Sequence, residues 1–205
     1  MRLYLSSFRL GDVPDELVRL FGYGKRIAII ANAVDLVSDE ERAIKLQMER
    51  DLLNGLGFKT EEIDLRDYFS KEDELRTILK DFDGIWVRGG NIFLLRRAFR
   101  QSGFDNILKE LLYKDQIAYG GYSAGICILS PTLKGLELVD EPYDVTTHYN
   151  ENVIWDGLNL LSYSIAPHYK SDHPETAGVD KSVAYFEEHK MPFKSLRDGE
   201  VIVIG

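Results

Sequence analysis

The sequence has 205 residues, of which 44% are hydrophobic and 29% charged, and its formal net charge at pH 7 is -9. This composition is typical of a folded globular protein and excludes a disordered or fibrous chain. The negative charge, and the lack of a basic stretch interleaved with aromatic residues, argue against a nucleic-acid partner. No segment reaches the roughly 20 apolar residues of a membrane span, and the single cysteine, Cys127, excludes an intrachain disulfide. We therefore expect a cytoplasmic protein with neither a nucleic-acid nor a membrane partner.

Strand-like apolar runs alternate with amphipathic helical stretches through residues 1–130. The predicted strands cover residues 2–8, 26–33, 59–65, 84–88 and 116–122. The predicted helices cover residues 15–21, 38–56, 71–80 and 91–113, the last with a break at Ser102 and Gly103. Ser38 is the predicted N-cap of the second helix, because Glu41 follows three residues later.

After residue 130 the pattern is less regular. Further strands are predicted at residues 136–139, 145–149, 158–166 and 200–204, and a helix at 180–189. The overall βαβα order predicts the α/β class, with a mostly parallel central sheet between two helical layers in a three-layer αβα sandwich. We expect a single catalytic domain over residues 1–205, with the substrate outside the carboxyl ends of the strands.

A Gly-Tyr-Ser-Ala-Gly sequence at residues 121–125 follows the fifth predicted strand. The apolar residues from Ala124 onward continue as a helix, so the chain must turn sharply at Ser123. Glycines on either side let the strand and the helix approach closely, and a serine at such a turn is strained, with its hydroxyl exposed. The segment therefore predicts the nucleophilic serine of a hydrolase.

A serine nucleophile needs a general base, and the sequence contains four histidines. His168 directly follows an apolar predicted strand, which places it at the sheet edge where Ser123 must lie. His148 and His173 are weaker candidates, and His189 lies among charged residues of the last predicted helix. We predict His168 as the base; the alternative is a strand-end histidine that is satisfied by backbone groups.

The third member of a triad should be a carboxylate that orients the histidine. Glu137 is the preferred candidate because it starts a short apolar predicted strand, whereas Asp140 and Glu141 precede a proline and are typical of a turn. For Glu137 alone, an exposed strand carboxylate without a function is nearly as well supported. The short separation between Ser123 and His168 does not suit the α/β-hydrolase fold, so it favours another fold with a serine elbow.

An oxyanion on the attacked carbonyl needs preorganised N–H donors. The N–H of Ala124 is one candidate, because it lies at the positive end of the helix that follows the serine. The predicted strand at 84–88 ends in Gly89 and Gly90, where the backbone can approach a ligand closely, and Asn91 then caps the next helix. We predict Gly90 and Ala124 as the oxyanion donors.

Several segments carry a family resemblance: Gly-Gly-Asn at 89–91, Gly-Tyr-Ser-Ala-Gly at 121–125, Ser-Pro-Thr at 130–132, and Pro-His-Tyr with Pro-Glu at 167–169 and 174–175. Together they resemble the serine peptidases of the peptidase E (dipeptidase E, alpha-aspartyl dipeptidase) family, which is related to the cyanophycinases. The resemblance covers most of the chain. It implies a class I glutamine amidotransferase-like fold with Ser123 as nucleophile, His168 as base, and Gly90 and Ala124 as oxyanion donors.

Two segments depart from that family. Some members carry an aspartate after the Pro-Thr, whereas the matching segment here reads Lys-Gly-Leu-Glu-Leu, so the resemblance implies a Ser-His-Glu triad with Glu137. Aspartyl-specific members also have an arginine after the histidine that recognises the substrate carboxylate, and residues 175–181 contain none. Arg88, Asn91 and Lys181 are the predicted substrate-binding residues, and a preference for an amino-terminal aspartate stays open.

The predicted activity is hydrolysis of the amino-terminal residue, with aspartate as one option, from dipeptides or short peptides through an acyl-enzyme on Ser123. One alternative is a cyanophycinase-like hydrolase of aspartyl-arginine polymer, and another is a catalytically inactive member of the fold that binds a small molecule. No metal or cofactor is predicted, because the sequence has neither a metal-ligand spacing nor a phosphate-binding loop. A homodimer is compatible with the sequence, which leaves the oligomeric state open.

Overall fold

The computed structural model describes residues 1–205. Its strands are β1 (Arg2–Ser6), β2 (Arg26–Ile30), β3 (Lys59–Glu62), β4 (Gly84–Val87), β5 (Ala118–Tyr122), β6 (Ser164–Ala166), β7 (Phe193–Ser195) and β8 (Val201–Ile204). Six of these form the central sheet in the order β3-β2-β4-β5-β1-β8. All neighbours in it run parallel except β8, which pairs antiparallel with β1. The carboxyl ends of β1, β2, β4 and β5 therefore share one edge, where open α/β sheets bind ligands.

The helices are α1 (Pro14–Phe21), α2 (Asp39–Gly55), α3 (Glu72–Ile78), α4 (Ile92–Ser102), α5 (Phe104–Tyr113), α6 (Ala124–Cys127) and α7 (Thr176–Glu188). They cover both faces of the central sheet. Along β1, the buried side chains of Leu3 and Leu5 pack with α4 and α5, whereas that of Tyr4 packs with α1 and α2 on the other face. Complete burial of one such leucine stabilises the fold by about 1.5–3 kcal/mol. The predicted α/β class with a mostly parallel sheet is confirmed.

The elements predicted before residue 130 are also confirmed, with ends that differ by a few residues. Ser38 caps α2, because its hydroxyl accepts a hydrogen bond of 3.2 Å from the N–H of Glu41. Gly103 separates α4 from α5 in a left-handed conformation with a φ of 75°, which glycine adopts without steric cost.

The strands predicted at 136–139 and 145–149 are wrong. Leu136–Leu138 form a short 3-10 turn, residues 145–149 form no strand, and only the end of the predicted strand at 158–166 exists, as β6. The helix predicted at 180–189 begins earlier, at Thr176. Apolar residues in this region pack onto the core without pairing in a sheet, and an apolar pattern alone does not distinguish the two cases.

A buried arginine explains how this irregular segment is held. Arg97 on α4 is completely buried, and its guanidinium donates hydrogen bonds to the carbonyl oxygens of Pro142, Glu151 and Asn152. The guanidinium thus satisfies backbone carbonyl groups that a neighbouring strand would satisfy in a sheet. The segment after α6 is fixed against α4 as a result.

β6 and β7 form a separate parallel pair. Hydrogen bonds continue past the ends of both strands, from the N–H of Leu196 to the carbonyl of Ala166 and from the N–H of Tyr169 to the carbonyl of Leu196, each 2.9 Å long. Because the two strands run in the same direction, the residues that follow them lie side by side.

Candidate active site

Ser123 lies between β5 and α6 in a strained backbone conformation, with φ of 50° and ψ of -119°. A non-glycine residue in such a conformation costs on the order of 1–3 kcal/mol. The turn is tight because β5 and α6 both touch β4: a Cβ added at Gly125 or at Gly121 would clash with the carbonyl oxygen of Val87. The geometry agrees with the predicted elbow, and the serine stays partly exposed at the sheet edge.

His168 follows β6 by two residues and is almost completely buried, with an exposed fraction of 1%. Its Nδ1 lies 2.6 Å from the Oδ1 of Asp198. An ionised aspartate only accepts, so Nδ1 carries the proton and Nε2 is left as a proton acceptor. The hydroxyl of Ser7, at the end of β1, donates to Asp198 over 3.0 Å and accepts from the backbone N–H of His168 over 2.8 Å. Ser7 therefore fixes both members of the pair.

Burial lowers the pKa of the His168 imidazole, while the hydrogen bond to Asp198 opposes that shift. A buried imidazole with a lowered pKa stays neutral at neutral pH, which a general base requires. The Oε2 of Glu175 lies 3.8 Å from the Nε2 of His168 and adds a second negative charge on that side.

Glu137, the carboxylate predicted to orient the histidine, does not do so. Its Oε2 accepts a hydrogen bond of 2.6 Å from the N–H of Gly135 within the 3-10 turn. The place beside His168 belongs to Asp198, which lies in the turn between β7 and β8, after the histidine in the chain.

The sequence contained one signal for Asp198. It precedes Gly199 in an Asp-Gly turn that leads into the last strand, and such a turn is usually structural. β7 was not predicted, so nothing indicated that Asp198 follows a strand parallel to the one before His168. The pairing places His168 and Asp198 just beyond the carboxyl ends of two neighbouring parallel strands, β6 and β7.

Two backbone N–H groups lie near Ser123 without a partner in the protein. Gly90, with a φ of 144°, makes no hydrogen bond through its N–H. The preceding residue, Gly89, lies so close to Ser123 that a Cβ added to it would be 2.8 Å from the Cβ of the serine. A Cβ at Gly90 would clash with the carbonyl of Ala33. Ala124 begins α6, so its N–H has no partner within that helix. These positions suit the predicted oxyanion donors.

A wide cavity of about 470 Å³ opens beside Ser123 and His168. Its wall is formed by the carboxyl ends of the sheet strands and by α2. Its charged lining residues are Arg9, Lys45, Glu49, Arg88 and Glu175. Arg9 is exposed and makes no ion pair, so its charge is free to meet a ligand.

A second, narrow cavity of about 20 Å³ is also lined by Ser123, and it shares Glu175 with the wide cavity. Its lining is mostly apolar, but it includes the carboxyl groups of Asp140 and Glu175 and no cationic side chain. Burial raises the pKa of the Asp140 carboxyl to about 7, and its Oδ2 accepts a hydrogen bond of 2.8 Å from the N–H of Ile92 at the start of α4. Cys127 also lines this cavity, but burial raises the pKa of its thiol, which disfavours a nucleophilic thiolate.

The three predicted substrate-binding residues lie in different places. Asn91 lines the wide cavity and caps α4, with its Oδ1 2.9 Å from the N–H of Leu94. Arg88 also lines it, but forms an ion pair of 3.4 Å with Glu49, whose carboxylate further binds the hydroxyl of Tyr122 and the indole N–H of Trp86. Lys181 lies on the exposed side of α7, outside both cavities.

His168, His173 and Asp198 offer ligand atoms within 4.8 Å of one another, a separation at which a metal ion can be held. The two imidazole rings, however, are stacked and nearly parallel, so their in-plane lone pairs do not converge on one point. The Nδ1 of His168 is also occupied by Asp198. The group suits a hydrogen-bonded pair better than a metal site.

Fold and site together define an α/β protein in which a strained serine at a strand-to-helix turn shares a cavity with the histidine of a histidine–aspartate pair. The sequence matches the profile of Peptidase family S51 over residues 6–205, and the chain belongs to this family.

Individual relatives agree with this assignment. The chain is 30% identical over 148 residues to an uncharacterized peptidase of Listeria monocytogenes, covering 72% of this chain and 67% of the relative. It is 25% identical over 155 residues to a protein of Drosophila melanogaster named as a probable alpha-aspartyl dipeptidase, covering 73% of this chain and 59% of that protein. The chain thus spans about two thirds of these relatives or less.

Solved structures share the fold. A candidate peptidase E protein from Listeria monocytogenes superposes with a TM-score of 0.81 at 25% identity, covering 99% of this chain and 93% of that one. A peptidase from an acI-B1 Actinobacterium has the same fold, with a TM-score of 0.70 at 15% identity, covering 99% of this chain and 82% of the other. In this chain, none of the helices has the length and apolar character needed to cross a membrane.

Proposed function

We propose that the protein is a serine exopeptidase that removes the amino-terminal residue from dipeptides or short peptides through an acyl-enzyme on Ser123. The observation that carries this proposal is the hydrogen bond between Nδ1 of His168 and Asp198, with His168 and Ser123 in the same cavity. A base that is oriented by a half-buried carboxylate and shares a cavity with a strained serine is the arrangement that nucleophilic catalysis needs.

In the acylation step, the Oγ of Ser123 forms a bond to the carbonyl carbon of the first residue, and its proton passes to the Nε2 of His168. The N–H groups of Gly90 and Ala124 stabilise the negative oxygen that results. The imidazolium of His168 then protonates the leaving amine as the peptide bond breaks. Water repeats the sequence on the ester, with His168 taking its proton, and releases the first amino acid.

The charges around Ser123 support an amino-terminal residue as the acyl part. Its free ammonium group lies one carbon from the attacked carbonyl, so it must fit close to the nucleophile. The narrow cavity offers it the carboxyl groups of Asp140 and Glu175 with no competing cation. An aspartate side chain there would face two carboxyl groups, so we propose a small, neutral first residue in preference to aspartate.

A dipeptide panel tests this proposal. Dipeptides with Gly, Ala, Ser, Asp or Lys in first position and a common second residue are compared with their N-acetylated forms, and the released amino acid is quantified. We expect hydrolysis of the free Gly, Ala and Ser substrates, little hydrolysis of Asp, and none of the acetylated forms. Ser123→Ala and His168→Ala should each lower kcat by at least about a thousandfold while the melting temperature is kept.

Two results would contradict the proposal. Wild-type activity in both variants would exclude the serine mechanism, and equal cleavage of acetylated peptides would exclude an exopeptidase. An aspartyl-arginine polymer is included in the panel, because its cleavage without dipeptide hydrolysis would favour the cyanophycinase-like alternative.

A further inference from the structure

His168 does not stand alone in its cavity, because the ring of His173 lies flat against it. The two ring centroids are 3.7 Å apart, and the planes differ by 7°. Phe8 contacts both rings through edge-to-face geometry, with centroid distances of 5.8 Å to His168 and 5.4 Å to His173. His173 is half-buried and lines the wide cavity, so it separates one face of His168 from the solvent in that cavity.

The loop between β6 and α7 holds this stack in place. The hydroxyl of Thr176 binds the carbonyls of His168 and Ser171, at 3.1 Å and 2.8 Å, and so bridges the loop. The Nδ1 of His173 accepts a hydrogen bond of 3.3 Å from the N–H of Glu175. Nδ1 thus acts as the acceptor, and in the neutral ring the proton is on Nε2. The second imidazole is therefore fixed in its loop.

Charges reach His168 from several elements. Asp198, from the turn after β7, and Glu175, at the start of α7, both favour a proton on the ring, whereas a charge on His173 disfavours it. Arg9, which follows Phe8 in the loop after β1, lines the same cavity. Among these groups, only His173 lies in van der Waals contact with the face of the His168 ring.

We propose that His173 is a positioning residue for His168: its ring holds the base in the orientation required by Ser123, and its charge controls protonation of that base. This inference rests on the proposed function. When His168 takes the proton of Ser123 it becomes an imidazolium, and a second imidazolium stacked on it would repel it. The pair therefore works with one proton at a time, and His173 must be neutral during acylation.

Nuclear magnetic resonance of the histidine rings tests the charge control without any substrate. The chain has four histidines, so a protein labelled with ¹⁵N-histidine gives a simple spectrum, in which His168 is assigned from a His168→Gln sample. His173→Phe keeps an aromatic ring against His168 but removes the charge. We expect the titration midpoint of His168 to rise by at least about half a pH unit in this variant. His189→Asn is the matched control, because His189 also stacks on an aromatic ring, Tyr185, but lies at the far end of α7.

The labelling rate of Ser123 by a fluorophosphonate tests the positioning role. His173→Asn removes the stacked ring and should slow labelling at pH 7.5 about tenfold, and His173→Phe should restore a large part of the rate. An unchanged His168 midpoint in His173→Phe, together with wild-type labelling in His173→Asn, would overturn the inference. Failure of the proposed function gives a different result. Ser123 of the wild-type protein would then not be labelled at all, while the His168 midpoint would still change in His173→Phe.

Discussion

The two cavities that meet at Ser123 differ in size and in charge. The narrow one holds about 20 Å³, and its charged groups, Asp140 and Glu175, are both acidic. The wide one holds about 470 Å³ and is lined by charges of both signs, the carboxylates of Glu49 and Glu175 and the cations of Arg9, Lys45 and Arg88. Only the wide cavity contains an exposed cation without an ion-pair partner, Arg9.

This difference suggests a direction for the substrate. A dipeptide is a zwitterion, with an ammonium group beside the scissile bond and a carboxylate beyond it. The acidic narrow cavity suits the ammonium end, and the wide cavity with its free cation suits the carboxylate end. In the direction that we propose, the scissile bond lies at Ser123, which lines both cavities.

The largest effect is expected when Asp198, the carboxylate that orients His168, is replaced. Asp198→Asn should lower kcat on dipeptides by about a thousandfold or more, because an amide can donate to Nδ1 and favours the wrong tautomer of His168. Glu137→Gln is the control, and its kcat should stay within about twofold of wild type. Equal loss in both variants, measured by steady-state kinetics, would argue against Asp198 as the orienting carboxylate.

The acidic character of the narrow cavity has a cost in stability that depends on pH. The pKa of Asp140 is about 7 in the folded protein and 3.8 as its ordinary value. The folded state therefore binds more protons at this carboxyl between these values, so the contribution of Asp140 to stability is most favourable below pH 4 and becomes less favourable as pH rises to about 7. Asp140→Asn should be more stable than wild type at pH 8 by roughly 2 to 4 kcal/mol.

Urea unfolding at pH 8 and at pH 4.5 measures this difference, which should shrink at the lower pH. The raised pKa means that the ionised Asp140 carboxylate destabilises the folded protein. An Asp140→Asn variant that is less stable than wild type at pH 8 would contradict this.

The same substitution should weaken recognition of the ammonium group. Asp140→Asn keeps an acceptor for the N–H of Ile92 but lacks the charge, so kcat/KM for a free dipeptide should fall about tenfold at pH 8. In the wild type, kcat/KM should also fall as pH drops below about 7, where Asp140 becomes neutral. If kcat/KM of the variant equals that of wild type at pH 8, Asp140 does not take part in substrate recognition.

The smallest effect is expected in the wide cavity. Arg9→Gln should lower kcat/KM for a dipeptide about threefold and leave that for the corresponding dipeptide amide unchanged, because the exposed guanidinium meets only the carboxylate. High salt should reduce the difference between the two substrates in the wild type. A loss that is equal for acid and amide would contradict the proposed direction of the substrate.

Much of the fold before residue 130 was predictable because four of its five strands, all but β3, are mostly buried, and because side chains cap the helices α2 and α4. The short apolar run at 84–88 predicted a strand, which the structure shows as the buried β4, and Ser38 marked the start of α2. Gly103 marked the break between α4 and α5. In the region after α6 the carbonyl groups are bound by Arg97, a long-range contact for which the local pattern contains no signal.

In the candidate site, too, the residues with local sequence signals were predictable and the residue that depends on a long-range contact was not. The elbow at Ser123 and the strand-end position of His168 are local features, and the structure brings the two residues to one cavity as expected. Asp198 depends on the parallel pairing of β6 with the short strand β7, whose three residues carry no clear strand pattern. The preference for Glu137 came from a strand that does not exist.

We propose above all that Ser123 is a nucleophile activated by the His168–Asp198 pair. Intact-protein mass spectrometry after incubation with a fluorophosphonate, followed by peptide mapping, tests it most directly. We expect one adduct, on Ser123, that is absent in Ser123→Ala and forms at least about a hundredfold more slowly in His168→Ala and Asp198→Asn. No adduct on the wild-type protein, or an adduct that forms in the three variants at the wild-type rate, would contradict it.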